Sequence, residues 1–238
     1  MKALIDSDIV CYRCAATAED DESWIAQART DRLVEDILQA LNASEYKLFL
    51  SGPTNFRKEI YPEYKANRKQ PKPKHLEACR NYLLEHWEAQ VVDGYEADDA
   101  LGMEQSRMEN RAWSVVCSID KDLKMIPGTH YDFVKKELSV VQPEAAMRAF
   151  YTQLLTGDSG DNIKGCPGIG KVKARLILDG CETDQQMFEA CQTTYNDDEA
   201  LLFNAKLIWI WRKANDIWSF QKVNYTPLES EVQSVSMH

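Results

Sequence analysis

The chain has little with which to cross a membrane, cross-link itself or hold zinc. No run among its 238 residues is both long and apolar enough to span a bilayer. Asp6 and Asp8 interrupt the short apolar stretch at the N-terminus, which excludes a signal peptide. The expected location is the cytoplasm in which the chain is made. Its 7 cysteines, an odd number scattered through apolar segments, suit reduced thiols rather than a disulfide framework. Cys11 and Cys14 have metal or redox spacing, but no second Cys/His pair completes a zinc site. His75, His86 and His130 likewise have no Cys or His partner at ligand spacing, and no internal repeat is evident.

Positive charge is also short. Against 38 Asp and Glu stand 28 Lys and Arg, a formal net charge of −10 that by itself argues against a nucleic-acid partner. Its distribution argues the other way. Between residues 57 and 75, Arg57, Lys58, Lys65, Arg68, Lys69, Lys72 and Lys74 are opposed only by Glu59 and Glu63. Between residues 163 and 177, Lys164, Lys171, Lys173 and Arg175 meet no acid. Most charge runs are solvated faces. Two basic runs beside acidic clusters better suit a phosphate-lined groove that leads to metal ions.

What the chain has in quantity is closely spaced carboxylates. They form four sets: Asp6 and Asp8, Glu96-Ala97-Asp98-Asp99, Asp120-Lys121-Asp122, and Asp158-Ser159-Gly160-Asp161. Each set falls where an apolar run stops or a helix begins. Residues 1–5, 46–50, 90–92 and 113–119 read as strands, the last cut off by Asp120. Residues 22–43, 74–87 and 95–108 have helical periodicity, and a Ser51-Gly52-Pro53-Thr54 turn opens the basic stretch. Strands alternating with helices predict a largely parallel sheet covered on both faces, with ligands beyond the carboxyl ends of its strands. After Pro143 the pattern is helical, over 144–155, 171–178, 185–191 and 199–218. We therefore expect domains at 1–143 and 144–220, with 221–238 as a loosely packed polar tail.

Spacing says which carboxylates can act together. Asp120 and Asp122 point the same way in an extended segment, and Glu96 and Asp99 do so on a helix, where Asp98 joins them only if the helix starts between. Asp158 and Asp161 repeat the three-residue spacing. Packed together without a cation, such groups could not all stay ionised. Hard oxygen ligands of this kind suit Mg²⁺ or Mn²⁺, and two ions about 3.5–4 Å apart can clamp the attacking and leaving oxygens of a phosphodiester. For any one pair, helix caps and turns are the commoner explanation. Four sets flanked by bases outweigh it.

Gly165 to Lys171 fits a phosphate-binding P-loop up to its last position, where Val172 replaces the required Ser or Thr, and no strand precedes it. Gly168-Ile169-Gly170 reads better as a hairpin between two helices whose amides approach a DNA phosphate, with Lys171, Lys173 and Arg175 adding charge that reads no sequence. Trp209, Trp211 and Trp218 belong to a core, whereas Tyr61 and Tyr64, inside the basic run, are placed to stack on bases.

Together these motifs resemble the 5′-nuclease superfamily of flap endonucleases, phage 5′-3′ exonucleases and the 5′-nuclease domain of bacterial DNA polymerase I, the phage type above all. The resemblance covers roughly residues 1–178. It rests on Leu4-Ile5-Asp6, Tyr64-Lys65-Ala66-Asn67-Arg68, Glu96-Ala97-Asp98-Asp99, Ser118-Ile119-Asp120-Lys121-Asp122 and Gly157-Asp158-Ser159-Gly160-Asp161-Asn162, in family order. Residues 165–173 look like its helix-three-turn-helix motif.

It implies a PIN-like three-layer catalytic domain at 1–143 and a helical DNA-binding subdomain at 144–220, with the helix-three-turn-helix at about 157–178. It implies two or more Mg²⁺ or Mn²⁺ ions on Asp6, Glu96, Asp98, Asp99, Asp120, Asp122, Asp158 and Asp161. Lys65 and Arg68 would contact the scissile phosphate. Arg57, Lys58, Tyr64, Lys69, Lys72, Gly168, Gly170, Lys171 and Lys173 would contact DNA, and the helix-three-turn-helix of this family can hold K⁺ through backbone carbonyls. The implied protein is a monomeric 5′-3′ exonuclease of duplex ends, nicks or 5′ flaps, in a bacterial host's cytoplasm if phage-encoded. RNA–DNA hybrids as substrate, and a DNA-binding protein without catalysis, are the alternatives. Two departures stand out: Leu50-Ser51-Gly52 lacks the aspartate usual after the second strand, and the stretch from Lys65 to Glu96 is short for a threading arch.

Overall fold

The computed structural model describes residues 1–107, 109 and 113–225. Its centre is a six-stranded sheet built from β1 (Lys2–Asp6), β2 (Glu45–Asn55), β3 (Gln90–Gly94), β4 (Ser114–Cys117), β5 (Gly128–Asp132) and β6 (Glu137–Val141), in the order β3-β2-β1-β4-β5-β6. The first five strands run parallel, and β6 returns antiparallel to β5.

Side chains alternate across the sheet with a period of two. Ala3 and Ile5 of β1 face one core with Leu48, Leu50, Val115 and Cys117. That layer is closed by α1 (Ser7–Thr17), α2 (Ser23–Leu41) and α4 (Leu76–His86), while the short α3 (Phe56–Ile60) follows β2 directly. Leu4 faces the other way, with Phe49, Val116 and the apolar side of α5 (Ala97–Ser106). The result is the predicted three-layer arrangement, with β1 at the centre and fully buried from Ala3 to Ile5.

A third core joins the C-terminal helices α6 (Pro143–Thr156), α7 (Lys171–Leu178), α8 (Asp184–Tyr195) and α9 (Asp198–Ile208). Phe56, Tyr64 and Met125 enter that core from the preceding part of the chain, and Trp209, Trp211 and Trp218 lie inside it, as their apolar neighbours suggested. Among the described residues no helix is long and apolar enough to cross a membrane.

Several local expectations are corrected. There is no turn at 51–54, because β2 continues to Asn55 along β3. Gly52 lets the strands meet, since a Cβ there would sit 2.4 Å from the Val92 carbonyl oxygen. A separate helix, α1, starts directly on the Asp6 cap. The β5–β6 hairpin fills a stretch the sequence left unassigned. The helix predicted over 199–218 stops at Ile208, and 209–218 continues as an irregular strap whose Ile210 enters the core beneath α5. The helix predicted to Met108 is described only to Ser106, and Met108 lies outside the described residues. In the predicted tail, Tyr225 stacks on Phe220 and donates to Asp198, while 226–238 lie outside the described residues.

Candidate metal and phosphate site

The carboxyl ends of β1 and β4 and the start of α5 meet at one end of the sheet. Asp6 ends β1 and caps α1, accepting the Ile9 amide at 3.2 Å and the Ser118 hydroxyl at 2.7 Å. The same hydroxyl accepts the Asp120 amide at 2.9 Å, and Asp120 accepts the Asp122 amide at 2.8 Å. Ser118 thus ties Asp6 to the 120–122 turn. Across from them Glu96 caps α5, which carries Asp98 in its first turn.

These groups repel one another. Burial, then Asp8 and Asp120, push the Asp6 carboxyl up to about 7 despite its two hydrogen bonds. Burial, then Asp6, Asp120 and Glu96, raise Asp98 well above the carboxylate range. Burial and Asp120 lift Asp122 to about 6. Among the described residues no three His, Cys, Asp or Glu side chains close tightly enough to hold one ion. The donor chemistry nevertheless fits a hard divalent cation. Every candidate donor is a carboxylate oxygen, and a cation would relieve the repulsion that raises these groups.

The outer carboxylates have cationic partners instead. Lys65 Nζ lies 2.5 Å from Glu96 and 3.7 Å from Asp161, and Arg68 lies 2.5 Å from Asp161. Burial pushes Glu96 up, but Lys65 and Arg57 bring it below its usual value. Asp158 is lowered in the same way: burial opposes, while Lys121 at 3.2 Å and the amides of Gly160 and Asp161 prevail. Gln153 donates to Asp158 at 2.9 Å and fixes its orientation.

The loop carrying Lys65 is held down by its own backbone. Lys65 sits at φ 58° and donates its amide to the Asp161 carbonyl at 3.0 Å. Lys65 and Arg68 are therefore brought to Glu96 and Asp161.

Three expected roles are not supported by the geometry. Asp99 is no ligand: it is fully buried, and its two oxygens are taken by Arg57 at 2.6 and 2.9 Å, the Glu96 amide at 3.1 Å and the Trp211 amide at 3.0 Å. Arg57 is no DNA contact, because it is 3% exposed and spends its remaining donors on the Leu207 and Trp209 carbonyls. Tyr64 cannot stack on a base. It is 3% exposed, with its hydroxyl 2.8 Å from both Glu96 and Asp161. Tyr61 packs edge-on against Phe203.

Lys58, Lys69 and Lys72 are exposed around the loop. Gly168, at φ 74°, turns the chain toward Gly170, which precedes α7, and Lys173 donates to the Gly168 carbonyl at 3.0 Å. Gly170 and exposed Lys171 line a cleft of about 620 Å³ that also contains Lys121, Asp122, Arg148 and Asp158. The basic end of α7 and two of the acidic sets thus open into the same space.

Where the usual aspartate is missing, Ser51 accepts the Ala97 amide at 2.9 Å through its hydroxyl and donates its own amide to Asp8 at 3.0 Å. Arg80 holds Asp8 at 2.6 Å and the Ser51 carbonyl at 2.7 Å. Sequence reasoning passed over Ser118, Gln153 and Arg80. Only Ser118 carried a signal, as the first residue of the run that ends in Asp120 and Asp122.

A family model described as the 5'-3' exonuclease, N-terminal resolvase-like domain, matches residues 3–151. The flap endonuclease Xni of Shewanella woodyi is 30% identical over 179 residues, which span 69% of this chain and 71% of that protein. A 5'-3' exonuclease of Buchnera aphidicola is 25% identical over 196 residues, covering 75% of this chain and 61% of its own. DNA polymerase I of Bacillus caldotenax is 34% identical over 151 residues, but the match spans only 17% of that polymerase. Among solved structures, the T5 D15 protein co-crystallised with metal ions superposes with a TM-score of 0.67, at 17% identity, over 88% of both chains. That likeness supports the PIN-like α/β fold. With the family model matching well over half its length, the chain belongs to the 5'-3' exonuclease family of the 5′-nuclease superfamily.

Proposed function

We propose that this chain is a divalent-metal-dependent nuclease that hydrolyses phosphodiester bonds from the 5′ end of duplex DNA in replication or repair. The observation that carries the reading is the group of mutually repelling carboxyls at the strand ends, where burial and acidic neighbours raise Asp6 and Asp98. Folding such a group together costs stability unless a cation compensates it. Asp6, Glu96, Asp98, Asp120, Asp122, Asp158 and Asp161 are the residues that would hold two or more Mg²⁺ or Mn²⁺ ions. When bound, such ions supply a nucleophilic water at neutral pH and stabilise the leaving oxygen.

The chain's own residues do the rest. Lys65 and Arg68, now on Glu96 and Asp161, lie where a scissile phosphate would exchange for those carboxylates, and they would stabilise its developing charge. Gly168, Gly170, Lys171 and Lys173 would take backbone phosphates without reading sequence. The products are a 5′-phosphate and a 3′-hydroxyl. The 61–69 loop folds back onto Asp161 rather than standing off as an arch, which favours duplex ends over flap threading.

The test is product length from 5′-labelled blunt, nicked and flapped DNA in Mg²⁺, with an RNA–DNA duplex alongside. Short labelled products from blunt and nicked ends are expected, and full activity in EDTA would overturn the reading.

A further inference from the structure

The family model ends at residue 151, yet the best-satisfied ion pair of the catalytic end reaches far beyond it. Arg57 binds Asp99 through both terminal nitrogens and directs its Nε and Nη2 to the carbonyls of Leu207 and Trp209, each at 2.8 Å. Asp99 returns the contact by accepting the Trp211 amide at 3.0 Å. The other Asp99 oxygen accepts the Glu96 amide at 3.1 Å, closing the cap of the helix that carries Glu96 and Asp98. One buried arginine–aspartate pair therefore joins the strap at 207–211 to the first turn of α5.

Packing shows the same attachment independently. A Cβ on Gly102, one face along α5, would lie 2.4 Å from the Trp211 carbonyl oxygen and 3.0 Å from Ile210. Only glycine lets the strap lie this close to the helix. The Trp211 ring stacks on Phe56 at 4.9 Å and on Tyr95 at 5.3 Å, and Ile210 enters the core beneath α5 with Leu4, Phe49 and Ala97.

We propose that the 207–211 strap is a working part of the metal site, and that Arg57, Asp99 and Gly102 are positioning residues that hold Glu96 and Asp98 in place through it. The proposal rests on the metal-site reading above. It replaces two expected roles, a ligand at Asp99 and a DNA contact at Arg57, with one shared mechanical role. The ordinary charge argument predicts the opposite sign for Arg57: removing a cation beside an acidic cluster should strengthen cation binding. Positioning predicts weakening, since groups that orient metal ligands typically cost about 10–100-fold in affinity when lost.

The experiment titrates Mn²⁺ into the full chain, without nucleic acid, for wild type, Arg57→Gln, Arg57→Lys and Gly102→Ala, and measures amide exchange over 95–101 and 207–212 in metal-free samples. Arg57→Gln and Gly102→Ala are expected to weaken Mn²⁺ binding by about tenfold or more and to speed exchange in both segments together. Arg57→Lys keeps the charge but loses the fork, so it should weaken binding too. Gly102→Ala alters no charge and would otherwise favour the helix, so loss of affinity there cannot be electrostatic.

Unchanged or tighter Mn²⁺ binding in Arg57→Gln, or loosening of 207–212 that leaves 95–101 protected, would overturn the proposal. Exchange is read without metal, so it decides the clamp even if wild type takes up no Mn²⁺. That last result would count against the proposed function, not the clamp.

Discussion

The acidic end of this molecule has two halves that solve the same electrostatic problem differently. In the inner half, Asp6, Asp98 and Asp122 have carboxylates among their causes of strain, and their carboxyls are raised. In the outer half, Glu96 and Asp158 are held down by Lys65, Arg57 and Lys121, and Asp161 is bound by Arg68. Both halves are built from the same residue types, so composition cannot tell them apart. What differs is reach. Lys65 and Lys121 hydrogen-bond the outer carboxylates Glu96 and Asp158 directly, whereas burial and acidic neighbours outweigh Lys65 at Asp98 and Lys121, 3.5 Å away, at Asp122. The inner half therefore calls for a cation from outside the chain, and the outer half carries cations that a phosphate can claim.

The largest effect should be on stability in the inner half. An aspartate whose folded pKa lies near 7 against 3.8 holds its proton in the folded state after the unfolded chain has released it. Stability from this source is complete below about pH 4 and is lost as pH rises toward 7, by up to about 4 kcal/mol. Urea unfolding of metal-free protein between pH 4 and 7 should show this loss, and Asp6→Asn, which keeps an oxygen for the Ile9 cap, should remove it. Equal pH slopes in the two proteins would erase the distinction between the halves.

Next in size is catalysis. Asp120→Asn should reduce cleavage of 5′-labelled DNA by more than about 100-fold, the upper end of what loss of an orienting group alone costs. DNA binding in a filter or anisotropy assay should survive.

Lys65→Ala should sharpen the contrast by acting in two directions. Cleavage falls, because the phosphate loses a partner, while divalent-ion affinity rises by about tenfold, or about 1.4 kcal/mol, because Glu96 and Asp161 lose a competitor. Weaker metal binding in this variant would merge the two halves into one. The smallest effect belongs to the far end of the cleft. Lys171→Ala should lower the salt slope of DNA binding by about 0.9, the share of a single phosphate contact.

Much of this was legible in the sequence where one residue has one job. Residues 1–5 and 113–119 read as strands because apolar runs there stop abruptly at Asp6 and Asp120, and 171–178 read as a helix with the bounds the structure has. Legibility failed where one residue serves two elements or where a partner is remote. Asp6 looks like the end of a strand but also starts α1, whose buried face of Val10, Cys11, Cys14 and Ala15 has too few large apolar residues to show a clear stripe. β6 was invisible for the opposite reason, since its residues are nearly all exposed and no face alternates.

At the site, spacing placed Asp99 beside Glu96 correctly but could not show that Arg57, 42 residues earlier, takes its oxygens. The same holds for Tyr64, which sits in a basic run by sequence and under two carboxylates in space. A local pattern identifies residues able to act; only the fold shows which have already been used.

The inner carboxyls should hold protons until a metal displaces them. Calorimetric titration of Mg²⁺ into the full chain, in buffers of different ionisation enthalpy at pH 6 and pH 9, measures this directly. The prediction is net proton release on binding at pH 6 that diminishes at pH 9, where Asp6 and Asp122 have already ionised. Binding with no proton release at pH 6, or no Mg²⁺ binding at either pH, would contradict it.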